Sequence, residues 1–199
     1  MRKSAAVFAA ALALFGAGLQ AASAAGPATG APPQAAANPH RQTLDDLFTR
    51  LAGSKDEAEA RGIANLIERR LGRSGSDTAD LLMERSGEAL AARDAALAIE
   101  LLDRVTTLKP DWAEAWNRRA AAFYLLDDPA SALADLHQAI TREPRLFDAW
   151  DALGHLELAA GDKGRALAAY RKALAIHPFL AGLKETVDRL APEIDGRDL

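Results

Sequence analysis

The sequence predicts an all-α solenoid, in which antiparallel helix hairpins stack on one another. This prediction depends on an alanine- and leucine-rich composition, a repeated spacing of 34 residues, and apolar residues at helical intervals. Hydrophobic residues make up 49% of the chain and aromatic residues 6%, so the strong helix formers alanine and leucine supply most of the apolar surface. The 199 residues contain no cysteine, which excludes disulfides and cysteine-ligated metals.

The 34-residue spacing recurs through much of the chain. Trp116 and Trp150 are separated by it, and further sets keep the same step: Ala132 and Ala166, Ala139 and Ala173, Pro110, Pro144 and Pro178, Ala98 and Ala132, Leu102 and Leu136, and Asp94, Asp128 and Asp162. A fixed period of this length indicates a repeat protein. Each repeat is then one helix hairpin, which buries its apolar faces only by stacking on its neighbours.

Capping and turn residues divide each repeat into two helices. Asp111 followed by Glu114 has the spacing of a capping box and predicts a helix start. Asp128, directly before a proline, predicts the start of the next helix, because proline is tolerated at the first helical position. In the last repeat, Gly161 predicts a helix end and Asp162 the following start.

Small and large side chains alternate in a way that suits packed hairpins. Alanines at 98, 132 and 166 allow the two helices of a hairpin to approach closely. We expect Trp116 and Trp150 to fill the space between successive hairpins.

This pattern resembles the tetratricopeptide repeat (TPR), whose motif is W-x2-L-G-x2-Y followed by alanine, an aromatic residue, alanine and proline at fixed places. Residues 147–180 match it best, at Trp150, Leu153, Gly154, Ala166, Tyr170, Ala173 and Pro178. The departures are Glu157, where an aromatic residue is usual, Arg119 and Ala120, where Leu-Gly is usual, and Leu82 in place of tryptophan. The chain is thus similar to an exported bacterial TPR protein.

The resemblance and the flanking composition predict the domain organisation. Residues 1–25 have a basic start, an uncharged apolar stretch and then small residues, which is typical of a secretory signal peptide; an uncleaved membrane anchor is the alternative. Residues 26–40 are predicted as a flexible Pro/Ala-rich linker. The remaining segments are a degenerate N-terminal helical hairpin at 41–78, an array over 79–178 with repeats 79–112, 113–146 and 147–180, and a capping helix and tail at 179–199.

The resemblance also implies a binding site. In this family the first helices of successive repeats line a concave groove that binds peptides or protein segments. Carried over to this chain, the inward positions are Asp80, Met83, Gly87, Leu90, Glu114, Asn117, Ala121, Tyr124, Asp148, Asp151, His155 and Leu158. The implied groove is acidic at one edge and favours a basic or mixed peptide. Three of the acidic residues, Asp80, Glu114 and Asp148, also lie in first helical turns, where the helix dipole alone favours carboxylates.

We expect no enzymatic activity, no metal and no cofactor. The sequence has no glycine-rich phosphate loop, no nucleophile elbow and no H-E-x-x-H motif. His155 follows Asp151 at helical spacing, but this pair lacks a third ligand. The net charge of −4 would become −6 if removal of residues 1–25 took away Arg2 and Lys3, and a negative chain is a poor partner for nucleic acid.

The predicted function is that of a protein–protein interaction scaffold or adaptor, periplasmic or secreted, that binds a partner segment in its groove. After signal cleavage we expect no stable membrane insertion. The alternative is an assembly factor or accessory regulator of an envelope or cell-wall enzyme complex, acting through the convex face or an end of the array.

Overall fold

A computed structural model describes residues 43–196 of the chain. Over this range the chain forms nine α-helices, as the composition and spacing predict: α1 Leu44–Ala52, α2 Glu57–Leu71, α3 Asp77–Ala91, α4 Ala95–Leu108, α5 Ala113–Leu125, α6 Pro129–Arg142, α7 Phe147–Ala159, α8 Lys163–Ile176 and α9 Leu183–Asp195. The all-α class is therefore confirmed. The signal peptide and linker predictions fall outside the described residues, and within 43–196 no helix is both long and apolar enough to cross a bilayer.

The second helices of three hairpins begin in the same way. Asp94, Asp128 and Asp162 each accept a hydrogen bond from the backbone N–H three residues later, at 3.0, 3.1 and 2.8 Å. The residue before each aspartate has a positive φ, of 61° at Arg93, 59° at Asp127 and 85° at Gly161. The starts predicted at Asp128 and Asp162 are confirmed, and the 34-residue period extends to the backbone conformation.

The capping box predicted at the start of α5 is wrong. The N-cap residue of α5 is Trp112, and it makes no side-chain capping hydrogen bond. The carboxylate of Glu114 instead accepts from Asn117 at 3.5 Å and from Arg118 at 3.2 Å. Glu114 is therefore turned along the helix surface and away from the cap.

The hairpins α3–α4, α5–α6 and α7–α8 pack as antiparallel pairs and stack in chain order. Ala98, Ala132 and Ala166 are fully buried, as expected for positions of close helix approach. Trp116 and Trp150 are half-buried against the core that α5 to α8 share. Their indole N–H groups donate to the backbone oxygens of Pro110 and Pro144, at 2.8 and 2.9 Å, so each tryptophan also fixes the turn before its own helix.

If the N-terminal hairpin continued the stack, it would pack on the first repeat. It instead shares a core with the last repeat. The core of α1 and α2 includes Phe147 at the start of α7, and Ile176 at the end of α8 packs against it. Arg145 holds this position by an ion pair to Asp45, at 2.5 Å, and its guanidinium stacks 4.4 Å from the ring centroid of Phe48. The hairpin therefore packs against the start of α7 and the end of α8 through a shared apolar core.

Two further contacts complete the arrangement. The indole N–H of Trp112 donates to the backbone oxygen of Leu71 at 2.5 Å and joins the end of α2 to the start of α5. At the other end, α9 packs on α8 through Leu183, Val187 and Leu190.

Candidate functional site

A groove of about 730 Å³ runs between α5 and α7. One end is polar, and the middle is formed by small and apolar side chains over a floor that includes Leu136 of α6. The lining residues are Glu114, Asn117, Arg118, Ala120, Ala121, Tyr124, Leu125, Leu136, Asp148, Ala152, His155 and Leu156. A concave, mostly apolar site with a few polar groups at one end is the usual form of a ligand pocket.

The apolar part of this groove is open to solvent. Tyr124 and Leu125, at the end of α5, are 59% and 60% exposed, and Ala121 one turn earlier is also exposed. Neighbouring exposed apolar side chains of this size mark interaction surfaces more often than isolated ones do. The last turn of α5 is therefore the principal apolar contact surface of the groove.

Carboxylates gather at the polar end of the groove, where α2 approaches α5 and α7. Glu68, Glu114 and Asp148 line an adjoining cavity of about 150 Å³, together with Arg118. Burial raises the pKa of Asp148 to about 7, and the neighbouring carboxylates of Glu68 and Glu114 add to the shift. Burial also raises the pKa of Glu114, although its ion pair with Arg118 opposes the change. Three carboxyl groups thus share a partly enclosed space, and burial there favours the protonated forms of Asp148 and Glu114.

A histidine, His155, lies two turns further along α7 from Asp148 and lines the same groove. The Tyr170 hydroxyl and His155 Nδ1 share a hydrogen bond of 3.0 Å, and His155 Nε2 lies 3.6 Å from Asp151 Oδ1. Burial raises the pKa of Asp151. Between residues 43 and 196, no cluster of three or more His, Asp or Glu side chains has the geometry of a metal site.

The structure brings six of the twelve predicted groove residues together: Glu114, Asn117, Ala121, Tyr124, Asp148 and His155. Asp151 lies beside this set, next to His155. The groove is therefore built from the second and third repeats.

The other predicted positions serve the fold or lie elsewhere. Asp80 accepts hydrogen bonds from the Ser74 backbone N–H and hydroxyl, at 2.8 and 2.6 Å, and so closes the turn before α3. Met83 is buried, and Leu90 and Leu158 pack against separate hydrophobic clusters. Gly87 faces Arg118, since a Cβ atom added at position 87 would lie 3.8 Å from Nη1 of that side chain. The Arg118 side chain therefore separates the first repeat from the groove.

Sequence reasoning missed Glu68, Arg118 and Leu125. Leu125 could have been found, because the consecutive apolar residues Tyr124, Leu125 and Leu126 cannot all lie on one buried helix face. Glu68 carries no local signal, since it belongs to the hairpin outside the three repeats and reaches the groove only through the fold.

Comparison with known proteins places the chain in a family. A tetratricopeptide repeat family model matches residues 147–179. A TPR repeat-containing protein of Rhizobium etli is 30% identical over 156 residues, which cover 78% of this chain and 76% of the relative. The chain therefore belongs to the tetratricopeptide repeat family.

Solved structures share the fold at lower identity. The first TPR of Spaghetti (RPAP3), bound to the HSP90 peptide SRMEEVD, is 18% identical with a TM-score of 0.57, and the match covers 60% of this chain and 95% of that one. The TPR2B domain of yeast Sti1, in a complex with pHsp70, is 20% identical with a TM-score of 0.54 and a coverage of 61% and 99%. These similarities confirm the TPR solenoid.

Proposed function

We propose that this protein is an interaction scaffold or adaptor, which binds a segment of a partner protein in the groove between α5 and α7. The observation that carries the proposal is the solvent-exposed apolar surface of Ala121, Tyr124 and Leu125 inside a groove of about 730 Å³. The two solved neighbours support it, since one is a complex with an HSP90 peptide and the other a complex with pHsp70. In this proposal the protein binds its partners and does not itself catalyse a reaction.

Export to the periplasm is part of this proposal and depends on the signal-peptide pattern of residues 1–25. Sequencing the N-terminus of protein isolated from its host tests it. A mature start near Ala25 or Gly26 is the expected result, and an intact Met1 in the membrane fraction would indicate a membrane anchor instead of export.

The groove is tested by the double substitution Asn117→Ala and Tyr124→Ala. Both side chains line the groove, and Tyr124 is 59% exposed, so we expect the thermal unfolding curve to change little. In the native host, crosslinking followed by mass spectrometry should lose the partners that the wild-type protein captures. The matched control is Leu97→Ala on α4, where the side chain is 43% exposed and lies outside the groove.

The control also tests a second candidate function, assembly of an envelope complex through another face. Leu97 and Leu108, both on α4, are 43% and 52% exposed and offer an apolar surface away from the groove. Partners lost in Leu97→Ala and kept in the groove variant would favour this assembly role and contradict binding in the groove.

A further inference from the structure

We propose that the groove selects a partner segment in which a lysine or arginine is flanked by apolar residues, and that Glu68 of the N-terminal hairpin takes part in this selection. The inference deepens the proposed function and rests on it. It names the chemistry of the partner, and it extends the site to a helix outside the three repeats.

The polar end of the groove has more acidic than basic side chains. The 150 Å³ cavity there is lined by three carboxylates, from Glu68, Glu114 and Asp148, by one cation, Arg118, and by the apolar side chains of Ile67, Leu71, Leu146 and Phe147. Arg118 is already paired with Glu114 at 3.2 Å and cannot neutralise the other two carboxylates as well. An added positive charge would therefore relieve repulsion, whereas an added carboxylate would increase it.

The cavity is about the size of one side chain and adjoins the apolar groove. Liquid water occupies about 30 Å³ per molecule, so the cavity has about the volume of five waters, which suits one side chain. It shares Glu114, Arg118 and Asp148 with the larger apolar groove. Lysine and arginine have apolar stems and charged ends, so a single side chain can contact both regions. The apolar neighbours of that residue then pack against Ala121, Tyr124 and Leu125.

The fold brings one of the three carboxylates, that of Glu68, to the cavity from a distant part of the sequence. Glu68 is on α2, and α2 is held at the groove by the hydrogen bond from Trp112 to Leu71 and by the core that α1 and α2 share with Phe147. The hairpin therefore closes the polar end of the groove. An array of repeats without the hairpin would leave that end open and less acidic.

The test uses the full chain and a phage-displayed library of random peptides. We expect peptides enriched on the wild-type protein to contain a lysine or arginine beside apolar residues. A synthetic copy of the best peptide should bind about ten-fold more weakly when its basic residue is replaced by glutamine.

The protein variants remove charge and keep shape. Glu68→Gln with Asp148→Asn should weaken the same peptide by about ten-fold. The matched control is Glu100→Gln, on the exposed surface of α4, where the carboxylate pairs with Arg104 at 2.6 Å and lies away from the groove. We expect the control to bind as the wild type does.

A groove-filling variant, Ala121→Trp, tests whether peptides bind in the groove, independently of whether the groove selects basic residues. If the enriched peptides are neutral or acidic and Ala121→Trp blocks them, the groove binds peptides but the basic selectivity is overturned. If Ala121→Trp leaves binding unchanged, or if the wild-type protein enriches no peptide, the groove is not the binding site and the proposed function is overturned with it.

Discussion

At the scale of single residues, Asp148 makes the groove sensitive to pH. Burial, assisted by Glu68, Glu114 and Asp151, raises the pKa of Asp148 to about 7. In the unfolded chain the same carboxyl titrates near its ordinary value of about 3.9. Between these two values the folded protein holds a proton that the unfolded chain has lost, so raising the pH through this range lowers the free energy of unfolding.

We predict that Asp148→Asn stabilises the protein at about pH 8 and has much less effect at about pH 5. The asparagine removes the charge that is unfavourable above the raised pKa, whereas at the lower pH the wild-type carboxyl is already largely protonated. Thermal unfolding of both proteins at the two pH values measures the difference. The other charged groups at this position, Glu68, Glu114, Arg118, Asp151 and His155, are present in both proteins and cancel in the comparison. An equal gain at both pH values would contradict the raised pKa.

Arg119 explains one of the departures from the TPR motif. It replaces the usual leucine, and its guanidinium makes two hydrogen bonds to the buried carboxylate of Asp135, at 2.7 and 2.8 Å. A third bond, to Asp103 at 2.7 Å, reaches the preceding repeat. The equivalent pair one repeat later is Leu153 with an alanine. The second repeat therefore replaces an apolar contact with an ion pair, which ties it to the first repeat.

At the scale of helices, two facing residues of a hairpin have complementary sizes. Gly154 of α7 faces Tyr170 of α8 so closely that a Cβ atom at position 154 would lie 2.3 Å from the tyrosine ring. One repeat earlier the same two positions hold Ala120 and Leu136. The larger partner on the second helix thus requires the smaller residue on the first.

We predict that Gly154→Ala destabilises the protein by about 1–3 kcal/mol, because the buried ring has no free space into which to move. Tyr170→Leu alone should also destabilise it, since it leaves a cavity and removes the hydrogen bond to His155. The double variant recreates the pair of the preceding repeat. Its cost should be smaller than the sum of the single costs by at least about 0.5 kcal/mol in denaturant unfolding. Additive effects would show that the two positions do not constrain each other.

At the scale of the whole molecule, the N-terminal hairpin and the last repeat share one core. Phe48, 5% exposed, lies in the same cluster as Phe147, 2% exposed. This shared core joins residues that are about half the chain apart, and it helps to place Glu68 beside the groove. The groove and the stability of the array are therefore coupled through α1 and α2.

We predict that Phe48→Ala lowers the free energy of unfolding by about 3–5 kcal/mol. Hydrogen exchange should show lost amide protection in α1 and α2 and also at the start of α7 and the end of α8. The matched control, Leu66→Ala, changes a 38% exposed residue of the same hairpin and should cost less than about 0.5 kcal/mol. Protection lost in α1 and α2 alone would mean that the hairpin does not fold together with the array.

Much of this architecture could be predicted from the sequence, because its signals are local. The aspartates at 94, 128 and 162 cap helices through the backbone three residues away, and the alanines at 98, 132 and 166 are fully buried. The site was predicted less well. Six family positions of the second and third repeats line one groove, but Asp80 and Met83 of the first repeat line a separate cavity, and Arg118 lies between the two.

By itself, the sequence determined that this chain is a stack of helix hairpins with a fixed 34-residue period. Its turns, apolar faces and the aspartate caps of the second helices act over a few residues and recur at the same spacing from one unit to the next. The tertiary structure alone decided where the first hairpin lies and that Glu68 joins Glu114 and Asp148 at one end of the groove. The physical reason is that an apolar helix face specifies burial without specifying its partner. Here the partner is set by a core that contains both Phe48 and Phe147, which lie in segments that share no period in the sequence.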